Sequence, residues 1–573
     1  MLQDTRQRLH SRLHREACIA LGLVKNDDEW RAALNEACTF KFGPAIRSLF
    51  AVIMVHCHPS NPIGLWNEFK DRLSEDISHH IKCTQERAYN LTLYEIDRTM
   101  KSMTAQEKTL SSFGLPLYHL SANEIPNYAD DQIDFDYEQG QAENAYERMT
   151  KEQQEIYKHV KHVIEEPNST SKCIFIDGPG GSGKSFTLKA IDHYVRSQGK
   201  TICNMSGFGV AANELRDGRT VHNRFGLEVP CESNTADSCI KVNTKAARDI
   251  VETDVFVWDE APSSSKYMIN CVERKLKELM GNELPMGGKI VIFAGDFRQT
   301  LPIKKHANRS EQVSLSMKRS DVWIHCKKFA LTKNLRAKPE EKEFIENLML
   351  IGNGTTVDEN GEIELPSHCI VQSDLANEIF AECIQKKDYE SMTKYAILSP
   401  YNEQVEAYNK KVLNMIEGET ITYRSVDSTI DSKHEYASKP EILNTLSSEN
   451  LPPHKLEMKR NCTLMLFRNL NVKKGLSNGT RLRLLETRPN VLKCRILTGN
   501  HAGAEVLIPR ITITDDSSFV FKLARHQFPV KLAFAMTIHK AQAQTIERLG
   551  GDLTKAVFAH GQLYVLEYVN GKV

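Results

Sequence analysis

CIFIDGPGGSGKSFTL, Cys173 to Leu188, sets an apolar run against a glycine-rich turn and then a helical pattern. Backbone N–H groups can face phosphate oxygens only where no side chain intervenes, and Gly178, Gly180, Gly181 and Gly183 clear that approach. The spacing G-x-x-x-x-G-K-[ST] is met by Gly178, Gly183, Lys184 and Ser185, between an expected strand at Cys173–Ile176 and an expected helix from Phe186. Pro179, Ser182 and Phe186 complete the segment. The helix N-terminus adds partial positive charge, Lys184 can reach the outer phosphates, and the Ser185 hydroxyl can ligate Mg²⁺.

A parallel sheet explains what surrounds that turn. From about Met149, short apolar runs alternate with helical patterns: TICNM at Thr201, VFVW at Val255, IVIFA at Ile290 and AILS at Ala396. Continuous runs of this length suit strands buried on both faces, the doubly wound α/β class. Upstream, segments such as LWNEFKDRLSEDI, Leu65 to Ile77, keep apolar residues three and four apart, so residues 1–125 are expected to form a helical accessory region. Asp130, Asp131, Asp134, Asp136 and Glu138 then suggest a solvated acidic linker over 126–146. The first core is expected over 147–340 and the second over 341–424 and 523–573. A β-rich insertion over 425–522 is expected from TRLRLL, VLKCRIL and AEVLIPRITI, punctuated by Asn478-Gly479 and Gly499-Asn500.

The 573 residues are 40% hydrophobic and carry 74 basic against 74 acidic side chains, so a nucleic-acid surface has to be local and not a global field. The insertion is the candidate. There Lys459, Arg460, Arg468, Lys473, Lys474, Arg481, Arg483, Arg488, Lys493 and Arg495 stand against Glu486, a bias that favours contact with a phosphate backbone. The 14 cysteines form no C-x-x-C pair and read as reduced thiols of an intracellular compartment. Apolar runs such as LFAVIMV, Leu49 to Val55, are too short to span a bilayer. Arg6, Arg8, Arg12 and Arg15 suit a mitochondrial presequence, but Asp4 and Glu16 interrupt them.

TDVFVWDEAP puts Asp259 directly after an apolar strand, the place from which a carboxylate holds a Mg²⁺ shell. Glu260 beside it can orient or deprotonate an attacking water. KIVIFAGDFRQTLPI ends in Gly295, Asp296 and Gln299, and the Gln299 amide can sense a terminal phosphate from a third strand end.

With these motifs in place, the chain resembles the PIF-type (petite integration frequency) DNA helicases of superfamily one, and in particular the helicase part of Helitron transposon proteins. The resemblance implies two RecA-like P-loop NTPase cores with an SH3-like β insertion in the second. It also implies ATP and Mg²⁺ between the cores, with single-stranded and tailed duplex DNA as partners. Duplex DNA would be unwound 5′ to 3′, in DNA repair, recombination and telomere or genome maintenance, or in Helitron transposition. A nuclear location follows, with mitochondria as the alternative. MTKEQ, Met149 to Gln153, is similar to the family's adenine-reading segment and makes Gln153 the base contact. MSGFGVAANEL and GRTVHNRFGL resemble segments that track single-stranded DNA, with Gly207, Thr220, His222 and Phe225 as the contacts. LTKNLR carries a trans-acting arginine, Arg336, and MTIHKAQAQT carries Thr537, His539, Lys540 and Gln542 at the DNA-coupling loop. The implied catalytic set is Lys184, Asp259, Glu260, Gln299 and Arg336.

Two departures from the family pattern stand out. Ala543 replaces the glycine of the coupling motif, and its methyl group crowds a close backbone approach. After HGQLYV the family continues small-x-Ser-Arg, whereas this chain has Leu566, Glu567, Tyr568 and Val569. A second cation for the terminal phosphate is therefore expected to be missing, with slow hydrolysis as the result. The rival reading is a nucleotide- and DNA-binding remnant that no longer turns over. The histidines of HCH, His56 and His58, and the group His79, His80 and Cys83, lack the framework of a nuclease or zinc site and read as polar residues of the helical region.

Overall fold

The computed structural model describes residues 27–569 apart from 41–42, 104–107, 122–132, 167–168, 229–230, 232, 305–306, 336–341, 356–361, 366–368, 430–438, 449, 516–517, 520, 543 and 545. Strands with no polar face have to be covered on both sides. In the first core these are β1 (Cys173–Asp177), β4 (Val255–Asp259) and β5 (Ile290–Gly295), flanked by β2 (Ile202–Ser206), β3 (Arg219–Thr220) and the more exposed edge strand β6 (Lys327–Ala330). They pair in parallel in the order β3-β2-β4-β5-β1-β6. Phe175, Phe256, Trp258 and Phe293 fill one side of the sheet, and Ile174, Ile176, Val257 and Ile292 fill the other. Each such side chain contributes about 1.5–3 kcal/mol relative to exposure. The register sets Asp177 beside Gly295 and Ser206 beside Asp259, so the glycine-rich turn and the acidic strand ends open on one edge.

The second core is smaller among the described residues. β7 (Tyr395–Ser399) lies between Ala535–Thr537 and Arg548–Gly551, all parallel. The insertion consists of antiparallel sheets and runs past its expected end at 522. Leu523–Gln527 pairs with Ile511–Asp515 and Val426–Thr429, and Val530–Leu532 pairs with Thr463–Leu466. RHQFPVKL therefore closes the insertion; the second core resumes at Ala535.

Helices Asp28–Cys38, Gly43–Val52, Pro62–Ile81 and Gln85–Met103 make up the expected N-terminal helical region. Their apolar face is not a separate core. Phe50, Trp66 and Phe69 join Leu464, Leu492 and Ile508 of the insertion in one buried cluster. Polar contacts reinforce the joint: Glu36 accepts from the Asn490 backbone and side chain at 3.0 and 2.8 Å, and Glu29 meets His526 at 2.9 Å.

The acidic stretch departs from the expected linker. Phe135–Glu147 is a helix packed on helix Lys184–Ser197, with Asp134 accepting from the Tyr137 N–H at 3.0 Å as its cap. Glu138 is buried and meets Arg216 at 2.7 Å and His193 at 2.6 Å. Burial pushes its carboxyl up, but the bonds from Arg216 and His193 outweigh this and hold it below the usual range. Charge density alone suggested solvation; the partners for that charge lie elsewhere in the chain.

Candidate active site and adjoining groove

Gly181 and Gly183 take φ of 78° and 83°, the left-handed region, which lets the turn fold its N–H groups inward before helix Lys184–Ser197 begins. Lys184 is buried, and its ammonium donates to the carbonyls of Gly178 and, at 3.2 Å, Pro179. Ser185 is exposed in the first turn of that helix. A cavity of about 340 Å³ is lined by Gly180 to Phe186 on one side and by Asp259, Glu260 and Gln299 on the other. Gln153 lies behind the turn, off this lining. Its carbonyl accepts from the Thr150 N–H at 2.9 Å and its amide donates to the Ser182 carbonyl at 3.3 Å, so it ties its helix N-terminus to the turn.

Asp259 ends β4 and accepts from the Glu260 N–H at 3.0 Å. Glu260 has φ of 53°, a conformation that costs a non-glycine residue about 1–3 kcal/mol and that persists where surrounding contacts enforce it. Burial pushes both carboxyls up, and the Asp259 charge lifts Glu260 further, to about 7. Gln299 is buried, and its side-chain oxygen has no partner among the described residues; the same holds for the Ser182 hydroxyl. A buried polar atom left without a hydrogen bond costs about 1–3 kcal/mol. The donor set of glycine-rich turn, Lys184 and Ser185 faces these groups across a polar space, which fits a phosphorylated ligand with its divalent ion.

Helix Gln562–Val569 covers one side of this cavity. The Tyr564 hydroxyl donates to Asp296 at 2.9 Å, and Tyr568 stacks on Tyr564 with centroids 6.2 Å apart. The Tyr568 ring lies so close to Gly180 that a methyl group there would collide with it. Val569, where the resemblance led to the expectation of an arginine, is buried in the apolar cluster of the second core. The tyrosine contact had no signal in the sequence beyond its departure from the family pattern.

A larger groove of about 670 Å³ runs between the cores and the insertion, and Gly207, Thr220, His222, His539, Lys540 and Gln542 all line it. Thr537 is buried at a strand end, its hydroxyl 3.4 Å from the His539 ring nitrogen, and stands behind the lining. Phe225 does not reach the groove. It is fully buried in the first core, 5.8 Å from Phe256, because the short helix Val221–Phe225 turns it inward. Sequence reading did not place His56, Phe208 or Asn478 at the groove, which all three line; His56, read as a polar residue of the helical region, arrives there from the N-terminal part of the chain.

The basic bias of the insertion dissolves into several roles. Arg468 lines the groove. Arg481 is buried, donates to the carbonyls of Tyr395 and Ala533 at 2.9 and 3.3 Å, and is pulled down to about 10 by burial. Lys459 donates to the Ile416 carbonyl at 2.6 Å, Arg483 meets Glu390 at 3.0 Å, and Lys493 and Arg495 meet Glu505 at 3.1 and 3.2 Å. Arg336 and Ala543 lie outside the described residues.

Residues 148–362 match the PIF1-like helicase family, and residues 441–486 match the 2B domain of DNA helicase Pif1. ATP-dependent DNA helicase Pif1 of Psychrobacter sp. is 26% identical over 451 residues, covering 69% of this chain and 64% of the relative. PIF1 of Xenopus laevis is 24% identical over 401 residues, with 69% and 57% covered. The chain thus spans less than two thirds of the length of these curated relatives. Among solved structures, Bacteroides Pif1 bound to ssDNA is 21% identical with a TM-score of 0.53, covering 73% of this chain and 89% of that one. Pif1 helicase from Candida albicans is 22% identical with a TM-score of 0.52, covering 74% and 92%. These likenesses show a shared RecA-like fold.

Proposed function

We propose that this chain, whose residues 148–362 match the PIF1-like helicase family, is an ATP-dependent DNA helicase of that family that steps along single-stranded DNA in the 5′-to-3′ direction. One observation carries the reading: Gln542 lines the groove and also donates to Glu260 at 3.3 Å, so a residue in reach of a bound strand touches the acid of the nucleotide cavity. The curated relatives are named ATP-dependent DNA helicases, and a Bacteroides relative is described as bound to ssDNA, which supports this assignment.

In this reading the N–H groups of the glycine-rich turn and Lys184 bind the β- and γ-phosphates of ATP. Ser185 and Asp259 would hold Mg²⁺, whose chemistry is to neutralise charge on the phosphate oxygens. Glu260 takes the proton of the attacking water, and Gln299 senses whether the γ-phosphate is present. Gln153 reads the base only if its amide leaves the Ser182 carbonyl. Gly207, Thr220, His222, His539, Lys540 and Gln542 contact the strand, and Arg336 supplies a cation to the transferring phosphoryl group. The intracellular setting, nuclear or mitochondrial, and a role in genome maintenance or Helitron transposition belong to the same proposal.

A strand-displacement assay tests the polarity. Duplexes with a 5′ tail should be opened in the presence of ATP and Mg²⁺, and those with a 3′ tail alone should not. Efficient opening of the 3′-tailed duplex overturns the assignment. A second reading, a nucleotide- and DNA-binding chain with little turnover, is favoured by Tyr568 against Gly180 and by buried Val569 where the resemblance led to the expectation of an arginine.

A further inference from the structure

The N-terminal region meets the groove through His56, and a distortion of the backbone puts that side chain there. Helix Gly43–Val52 runs on into a wider, π-type turn, Ile53–Cys57, which ends at His58 with φ of 50°. Such turns recur at functional sites, because one extra residue displaces the side chains that follow. A left-handed residue other than glycine is costly and persists where contacts enforce it. Here Lys108 donates to the Val55 carbonyl at 3.1 Å, and the Cys57 thiol donates to the Arg510 carbonyl at 3.6 Å. The turn is thus held by the N-terminal region on one side and by the insertion on the other. Between Val55 and Cys57 stands His56, which lines the groove together with Arg468 and Asn469.

The hydrogen bonding of His56 fixes what the ring can offer. Its Nε2 lies 3.2 Å from the Leu470 carbonyl. A carbonyl only accepts, so Nε2 carries the proton. Burial pulls the ring down to about 4; the Leu470 bond opposes this in part, and the charges of Lys108, His58 and Arg468 add to it. The imidazole is therefore neutral near pH 7, and Nδ1 is a bare lone pair. That nitrogen makes no hydrogen bond among the described residues, nor is it one of the enclosed polar atoms without a partner, which leaves it open to the groove that the ring lines.

A strand in the groove would have to supply the donor. Within a DNA strand the phosphates and deoxyriboses only accept, whereas each base carries N–H groups on its edge. Phosphates suit the cationic groove residues, Arg468 and Lys540, instead.

We propose that His56 accepts a hydrogen bond from a nucleobase of the strand in the groove, as a base-contacting residue supplied from outside both family-matched segments. The inference rests on the helicase reading and gives the N-terminal helices a task in it. Their docking on the insertion places an acceptor for the bases beside cations for the backbone.

The test follows two probes by fluorescence anisotropy with the full chain: a single-stranded DNA oligonucleotide, and an abasic strand of the same length and charge. His56→Ala should bind the oligonucleotide about 5-fold more weakly, the effect of one hydrogen bond, with an unchanged salt slope, and should bind the abasic strand as the wild type does. His56→Phe keeps the bulk of the ring without an acceptor and should show the same loss. His56→Asn keeps an acceptor near the place of Nδ1 and should stay within about 2-fold of wild type. No loss in His56→Ala, an equal loss on both strands, a salt slope that falls by about 1, or wild-type affinity in His56→Phe each overturns the proposal. Hydrolysis of ATP by the wild type, measured with the same oligonucleotide, reports on the helicase reading separately.

Discussion

The Gln542 amide donates to Glu260 Oε2 at 3.3 Å, and its carbonyl accepts from the Thr300 hydroxyl, so one side chain of the second core is held at both ends by the first. Because Gln542 also lines the groove, a strand that shifts it alters the position of the acid. Replacing Gln542 with Ala removes a hydrogen bond to a charged group, about 1.5–3 kcal/mol, and should cut DNA-stimulated hydrolysis by about 10-fold to 100-fold. ATP affinity should change little. Turnover measured with and without an oligonucleotide checks this, and full stimulation in the variant would refute the coupling.

The same bond makes a prediction about pH. Glu260 has to be ionised to accept a proton, and burial together with the Asp259 charge raises it to about 7. Hydrolysis should therefore fall as pH drops through about 7. The Gln542 bond favours the charged form, so Gln542→Ala should move this acidic limb to higher pH. A pH–kcat profile of both proteins decides; a limb that stays in place or moves down contradicts the assignment of Glu260 as base.

Phe225 provides a test of which aromatic residues meet DNA. Phe225→Ala should lower stability by about 3–5 kcal/mol through the cavity it leaves in the first core. Phe225→Leu keeps most of the volume and should retain DNA affinity within about 2-fold, whereas loss of a stacked base would cost about 1–3 kcal/mol. Denaturant unfolding and DNA titration of the two variants separate packing from contact.

How far the sequence could be read depended on whether a feature was local. The glycine-rich turn, Asp259 and Gln299 sit on short segments whose spacing is fixed by strand and helix geometry, and they converge on one cavity. Phe225 misled because a helical segment has two faces and the motif did not say which one turns inward. Arg481 misled because a basic residue in a strand looks the same from the sequence whether it faces phosphate or the carbonyls of Tyr395 and Ala533. The acidic helix Phe135–Glu147 was hidden because the partners of Glu138 lie 55 and 78 residues away, at His193 and Arg216. His56 entered the groove through the docking of the N-terminal helices on the insertion, a tertiary contact that no periodicity encodes.

Helix Gln562–Val569 sets the expected ceiling on turnover. Exchanging Leu566–Val569 for Ala-Leu-Ser-Arg removes the Tyr568 ring from Gly180 and restores the arginine of the family pattern at the end of this helix. An arginine in that role is worth about 10³–10⁵ in rate when fully placed, so a gain of at least about 10-fold in DNA-stimulated hydrolysis is expected. Tyr568→Ser alone should leave the rate nearly unchanged, since it adds no charge. Equal gains from both variants would show that the ring, and not a missing cation, limits the reaction.

The central claim is that nucleotide hydrolysis at the cavity is driven by a strand in the groove, and ATP turnover by the full chain titrated with a single-stranded oligonucleotide tests it most directly. The account predicts a hyperbolic rise of about 10-fold or more in wild type, and loss of at least about 10²-fold in Lys184→Ala, which removes the cation nearest the phosphates. Turnover indifferent to DNA in the wild type, or DNA-stimulated turnover that survives Lys184→Ala, would contradict it.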